Sequence, residues 1–282
     1  MRSIWLCADD YGISPAVNLA IRDLVVRGRL NATSALVVAP SCCRFEAMAL
    51  DALNRGEPRV AIGLHVALTA PFRPSSGGAL GMGERFMSLS RTVAHAFLRR
   101  FNPDALAREV AAQLSAFVQL FGRHPDYIDG HHHVHLLPQV RDAVLQVAKE
   151  QLPTAWLRQC GRAGGVAARL GDYKAFFLDG LSGSFRRRAV ALGLRTNPGF
   201  AGAYAFDQDA DFAALFSRFL DGLPDGGVVM CHPGFVDAEL RSLDPLTTLR
   251  EREYAFLAGE VFAPVLAARN VVLARPQSVP AS

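Results

Sequence analysis

Several kinds of protein are excluded by what this 282-residue sequence lacks. It has no run of the ~20 apolar residues that a membrane-spanning helix requires. Its five cysteines, Cys7, Cys42, Cys43, Cys160 and Cys231, include no CxxC pair and suggest no disulfide framework. Reduced thiols in the cytoplasm are the simpler reading. The apolar stretch before Asp9-Asp10 is too short for the core of a signal peptide. The 30 basic and 26 acidic residues leave a net charge of +4 without a long run of one sign, which argues for an ordinary solvated surface and against a nucleic-acid partner. The one dense basic cluster, Arg186-Arg187-Arg188, lies in a phenylalanine-rich stretch and suits either an anionic surface or the wet face of a helix. No linker, repeat or low-complexity segment divides the chain, so residues 1–282 are expected to form one domain, with 275–282 a frayed tail.

What is present alternates. Apolar runs at Ser3–Ala8, Ala32–Val38, Val60–Thr69, Tyr127–Ile128, Ala155–Arg158, Gly227–Cys231 and Val271–Ala274 read as strands. Helical periodicity falls between them: Ser14-Pro15 opens one helix and Asn102-Pro103 another, each with a capping side chain followed by proline. Half the residues are apolar, enough for a sizeable core. Strand–helix alternation along the whole chain predicts an α/β fold, a distorted parallel (β/α) barrel of about seven strands. Residues 70–90, with two prolines and four glycines, read as an excursion beside the site, and 161–206 resist assignment apart from a turn at Thr196–Gly199.

The polar residues that stand out share one position, the point where a predicted strand gives way to a loop. They are Asp9-Asp10, His65, His232 and the stretch Asp129-Gly130-His131-His132-His133-Val134-His135, which holds four of the eight histidines. C-terminal strand ends are where parallel α/β folds build their sites. If the histidine stretch continues a strand, Asp129, His131 and His133 share one side and His132 the other, with a helix opening at Pro138. A carboxylate with two imidazoles suits a divalent cation with open positions; zinc is favoured by ligand type, and other transition metals or magnesium are accepted less comfortably. An aspartate pair can simply cap the next helix. For both to serve a pocket, one as ligand and one as base, the chain must bend at Asp10, because strict alternation points them apart.

Ala8–Gly12, Gly63–Thr69, Asp129–His135 and Cys231-His232-Pro233 resemble, in order and spacing, the YdjC-like (ChbG/HpnK) carbohydrate deacetylases, over residues 3 to about 274. The resemblance implies a polysaccharide-deacetylase-like barrel that removes acetyl groups from N-acetylated amino sugars with one divalent metal. Carried over by motif, it implies Asp10, His65 and His131 as metal ligands, Asp9 as general base and His232 as general acid. Tyr11 stands where phenylalanine is commoner in the family. Asp129, His133, His135 and Asn197 are then candidates for contacts to substrate or ligands, and His132 is structural. The region 161–206 matches least, which leaves the substrate open among chito-oligosaccharides, lipid-linked amino sugars and hopanoid glycolipids. Peripheral membrane contact is allowed if the substrate is lipid-linked, and a homodimer is compatible with the pattern. Two other readings use the same ligands: a non-catalytic sugar-binding barrel, and a metal-dependent sugar isomerase or lyase. The paired aspartates and His232 favour hydrolysis, since binding alone needs neither base nor acid.

Overall fold

The computed structural model describes residues 1–77, 80, 84–162, 173–207 and 209–276. Among these, nine strands form one sheet: β1 (Arg2–Tyr11), β2 (Ala32–Ala35), β3 (Ala61–Val66), β4 (Tyr127–Gly130), β5 (Trp156–Leu157), β6 (Arg195–Thr196), β7 (Phe200–Ala201), β8 (Gly227–Cys231) and β9 (Val271–Leu273). Eight follow the order β6-β5-β4-β3-β2-β1-β8-β7, and β9 pairs with the start of β1. Every pairing is parallel. The helices are α1 (Pro15–Val26), α2 (Arg44–Asp51), α3 (Leu89–Phe97), α4 (Pro103–Phe121), α5 (Val140–Gln151), α6 (Tyr173–Ala191), α7 (Phe212–Phe219), α8 (Ala238–Leu243), α9 (Thr248–Ala258) and α10 (Phe262–Ala268). The architecture is thus an α/β half-barrel, a curved parallel sheet flanked by helices. A single parallel bridge, Arg162 to Phe200, brings the chain beyond β5 beside β7, so the two ends of the sheet approach each other.

All seven expected strands are present. The two additions, β6 and β7, are two residues long, too short to leave a periodic signal. From Ile4 onward β1 is buried on both faces, as a parallel strand covered by helices must be. Helix starts follow their capping chemistry. The Ser14 hydroxyl accepts from the Val17 N–H at 3.3 Å, and the Asn102 carbonyl oxygen accepts from the Ala105 N–H at 3.1 Å, each ahead of a proline in the first turn. Helix α3 begins at the end of the expected excursion and runs beyond it; residues 78, 79 and 81–83 of that stretch lie outside the described residues, as do 277–282 of the expected tail.

One expectation is overturned. β4 ends at Gly130, and His131–Leu136 winds as a 3-10 segment in which His132 (φ 53°) and His133 (φ 55°) are left-handed. Strand alternation therefore does not govern these histidines, so Asp129, His131 and His133 are not set on one side by a pleat. The following helix begins at Val140, two residues after Pro138.

Candidate active site

Register decides which side chains meet. Ile4 to Ala8 of β1 lie beside Gly227 to Cys231 of β8, which brings the residues that follow, Asp9 and His232, to one end of the sheet. His65 of β3 pairs directly with Asp129 of β4. Between Ala8 and Tyr11 the register of β1 against β2 shifts, and Asp10 takes φ 70°. The bend demanded by the aspartate pair is therefore there, and both carboxylates face the same buried interior.

Asp10, His65 and His131 each offer a ligand atom within 4.8 Å of the others. His131 Nδ1 lies 2.9 Å from Asp10 Oδ1, and His65 Nε2 lies 3.4 Å from the same oxygen. His65 Nδ1 stands 2.6 Å from Asp129 Oδ1, so it donates its proton there and turns Nε2 toward the Asp10 carboxylate. A carboxylate on the far ring nitrogen is the usual way a metal-ligating histidine is oriented, and Nε2 beside Asp10 is the atom that would meet a cation in place of its proton. Burial disfavours a charged His65 ring, but Asp129 and Asp9 outweigh it and push its pKa up to about 10. The donor set fits a divalent metal: one carboxylate and two imidazoles, converging and buried.

The other cluster of acidic groups here, Cys7, Asp9 and Asp129, already holds a fixed cation. The fully buried Arg158 grips Asp9 with both terminal nitrogens (2.6 and 2.7 Å) and reaches Asp129 Oδ2 at 2.9 Å. Burial opposes ionisation of Asp9, yet Arg158 and His65 hold its pKa below the ordinary value, and Asp129 is held at about 2 by the same neighbours against the same penalty. Burial pushes the Cys7 thiol well up, so it stays protonated. Arg250 of α9, also fully buried, donates to Asp10 Oδ2 at 2.6 Å and to Asp244 Oδ2 at 2.7 Å. Asp9, Asp10 and Asp129 thus face two guanidiniums and the His65 ring, whose Nε2 proton a cation held by Asp10, His65 and His131 would displace.

These residues open onto a cleft of about 590 Å³, lined also by His131, His132, His133, Tyr204, Phe206, His232 and Asp244. Burial lowers the His232 pKa to about 4, so its ring is neutral at rest, and its Nδ1 has no partner among the described residues. The backbone N–H of His232 donates to Glu253, whose other oxygen accepts from the Tyr204 hydroxyl at 2.7 Å. Glu253 is buried, which raises its carboxyl to about 7.

The remaining sequence candidates fall in three places. His133 lines the cleft with its Nδ1 3.5 Å from Cys160 Sγ. His135 sits behind it, its Nε2 2.7 Å from the Arg158 carbonyl oxygen. Asn197 is not brought to the cleft; its amide is spent on the backbone of Gln159 and Gly199 at 2.8–3.0 Å. His132, read from sequence as structural, lines the cleft because of the left-handed turn, with its Nδ1 3.0 Å from the Thr69 hydroxyl oxygen. Sequence reasoning missed Arg158, Arg250 and Glu253. Arg158 carried a usable signal, since it ends a predicted strand, as Asp9-Asp10 and His232 follow theirs. Arg250 and Glu253 lie on a helix and carried none.

The family model described as YdjC-like protein matches residues 3–268. A chitooligosaccharide deacetylase of Escherichia fergusonii is 32% identical over 261 residues, spanning 88% of this chain and 84% of its own. The chitooligosaccharide deacetylase of Citrobacter koseri is 30% identical over 244 residues, 83% of this chain and 82% of its own. Among solved structures, an Enterococcus faecalis V583 protein named for cellobiose-phosphate cleavage covers 98% of each chain with a TM-score of 0.78 at 23% identity, a likeness of fold.

Proposed function

The chain belongs to the YdjC-like family, and from that premise we propose that it is a carbohydrate deacetylase, a metal-dependent hydrolase releasing acetate and free amine from an N-acetylated amino sugar. One observation carries the reading: Asp9, Asp10, His65, His131 and His232 converge from four separate strand ends on one cleft. The name borne by the two curated relatives supports the sugar class. A silent sugar binder leaves Asp9 and His232, which both line the cleft, without a use as base and acid, and an isomerase would change the sugar carbonyl and release no acetate.

Asp10, His65 and His131 would hold the cation, zinc by ligand type, with Asp129 fixing the His65 tautomer. When bound, the cation supplies Lewis acidity that polarises a carbonyl and makes water more acidic. Asp9 stays ionised because Arg158 neutralises it, and as general base it removes the proton from the attacking water. His232, neutral at rest, takes a proton from solvent in the cleft once negative charge builds on the acetyl oxygen and passes it to the departing amine nitrogen, while Asp9 returns the proton it took to solvent after the products leave. Amide C–N cleavage needs that donation, because an unprotonated amine leaves poorly. Arg250 shares Asp10 with the cation and keeps that carboxylate from swinging away. Five free cysteines support a cytoplasmic location.

The test is a panel of N-acetylglucosamine oligomers and acetylated glycolipids given to purified protein, with acetate and free amine assayed together. The reading requires equal amounts of both products from at least one member. Saturable binding without acetate would instead support the sugar-binding rival.

A further inference from the structure

We propose that the face formed by α3 and the start of α6 docks on an anionic lipid bilayer. Phe97 (45% exposed) and Leu98 (59%) project from the end of α3, and Phe176 (61%) and Phe177 (48%) from α6. The Phe97 and Phe177 rings lie 5.6 Å apart, so the aromatic groups of the two helices form one patch. Leu89, at the opposite end of α3, is 40% exposed and lines the cleft. Leu89, Val93 and Phe97 are spaced four residues apart and share a helix face, an apolar stripe of about 12 Å from the mouth of the cleft to the phenylalanine patch.

The charge along the helix that carries the stripe has one sign. Arg85, Arg91, Arg99 and Arg100 are exposed, and no aspartate or glutamate occurs between Arg85 and Arg100. None of the four arginines forms an ion pair among the described residues. Exposed rings that can enter the boundary between headgroups and acyl chains, edged by cations that meet lipid phosphates, are the features of a surface that lies on a membrane. No helix among the described residues is long and apolar enough to cross one. A second copy of the chain is the competing occupant, but a twofold contact would set this arginine-edged patch against the same patch of the other copy, like charge on like. Docking would turn the mouth of the cleft at Leu89 toward the bilayer, presenting Asp10 and His65 to an acetylated sugar carried on a lipid. That last step rests on the activity proposed above; the docking itself does not.

The test is sedimentation of the full chain with vesicles of phosphatidylcholine alone and of phosphatidylcholine with about a third phosphatidylglycerol. Roughly tenfold more protein should pellet with the anionic vesicles at low salt, and the difference should shrink as salt rises. The triple variant Phe97→Ser/Phe176→Ser/Phe177→Ser should lose it, and Arg91→Gln/Arg99→Gln/Arg100→Gln should weaken it. Both variants should keep the wild-type melting profile and acetate release from soluble oligomers. Equal pelleting with the two vesicle types overturns the proposal. So does a dimer, seen by sedimentation velocity, that the phenylalanine variant dissociates while vesicles bind neither form. Failure of acetate release with docking intact would count against the activity alone.

Discussion

Arg158 governs more of the site's chemistry than any other single side chain. Held bidentate against Asp9 and touching Asp129, it lets two carboxylates stay ionised where burial alone would protonate them. Arg158→Gln should therefore raise the Asp9 pKa, and the acid limb of the pH–rate profile, which reports the base, should move to higher pH. The same variant leaves two buried carboxylates unpaired and should lose ~3–5 kcal/mol in denaturant melts. Asp9→Asn removes the base without removing the shape; acetate release should fall ~10²–10⁴-fold while the metal is retained. Buried histidines set a second pH dependence. Burial holds His135 at about 4 and His132 at about 3, against 6.5 in an unfolded chain. As pH drops below 6.5 the unfolded chain takes up protons that the folded rings refuse, so stability falls toward pH 4. Glu253 acts in the opposite sense. Raised to about 7 from 4.5, it favours the folded state below 4.5 and loses that contribution as pH climbs to 7. Thermal melts across pH 4 to 7 should show the histidine slope steepened in Glu253→Gln.

At the level of elements, the strand ends were legible and the turns beyond them were not. Apolar runs marked seven of the nine strands, the two-residue β5 among them, and the change to Asp9-Asp10, His65 and His232 marked the C-terminal ends of β1, β3 and β8 to within a residue or two. Nothing in the residues from His131 to His133 announced a left-handed 3-10 turn, because left-handed backbone in non-glycine residues is held by surrounding packing and has no sequence period. The same limit hid Arg250 and Glu253, three residues apart on one face of α9, whose partners in the site, Asp10 and His232, lie more than 20 positions away. The bend in β1 was legible in part through Gly12. Its φ of 102° suits glycine, and a Cβ built there would stand 2.5 Å from Cys42 Cβ. Gly12→Ala should cost ~1–3 kcal/mol and, by shifting the bend two residues earlier, weaken metal binding. A denaturant midpoint and a zinc titration check this; wild-type values in both would mean the bend is held elsewhere.

The whole molecule is organised around a site drawn from residues 9 to 253, with contributions from β1, β3, β4, the segment after β5, β8 and α9. No fragment of the chain holds the site, so the metal should bind the folded state and stabilise it. Zinc at a hundredfold its dissociation constant should add ~2.7 kcal/mol, seen as a raised melting temperature that Asp10→Ala abolishes. The central claim is that this geometry hydrolyses an acetamide on a sugar with a bound cation. It is tested most directly by acetate release from N-acetylglucosamine oligomers, measured on one preparation before chelation, after chelation and after restoring zinc. The account predicts release, its loss, and its recovery with equimolar free amine. Release that continues unchanged in the chelated protein, or its absence with every divalent ion supplied, would contradict it.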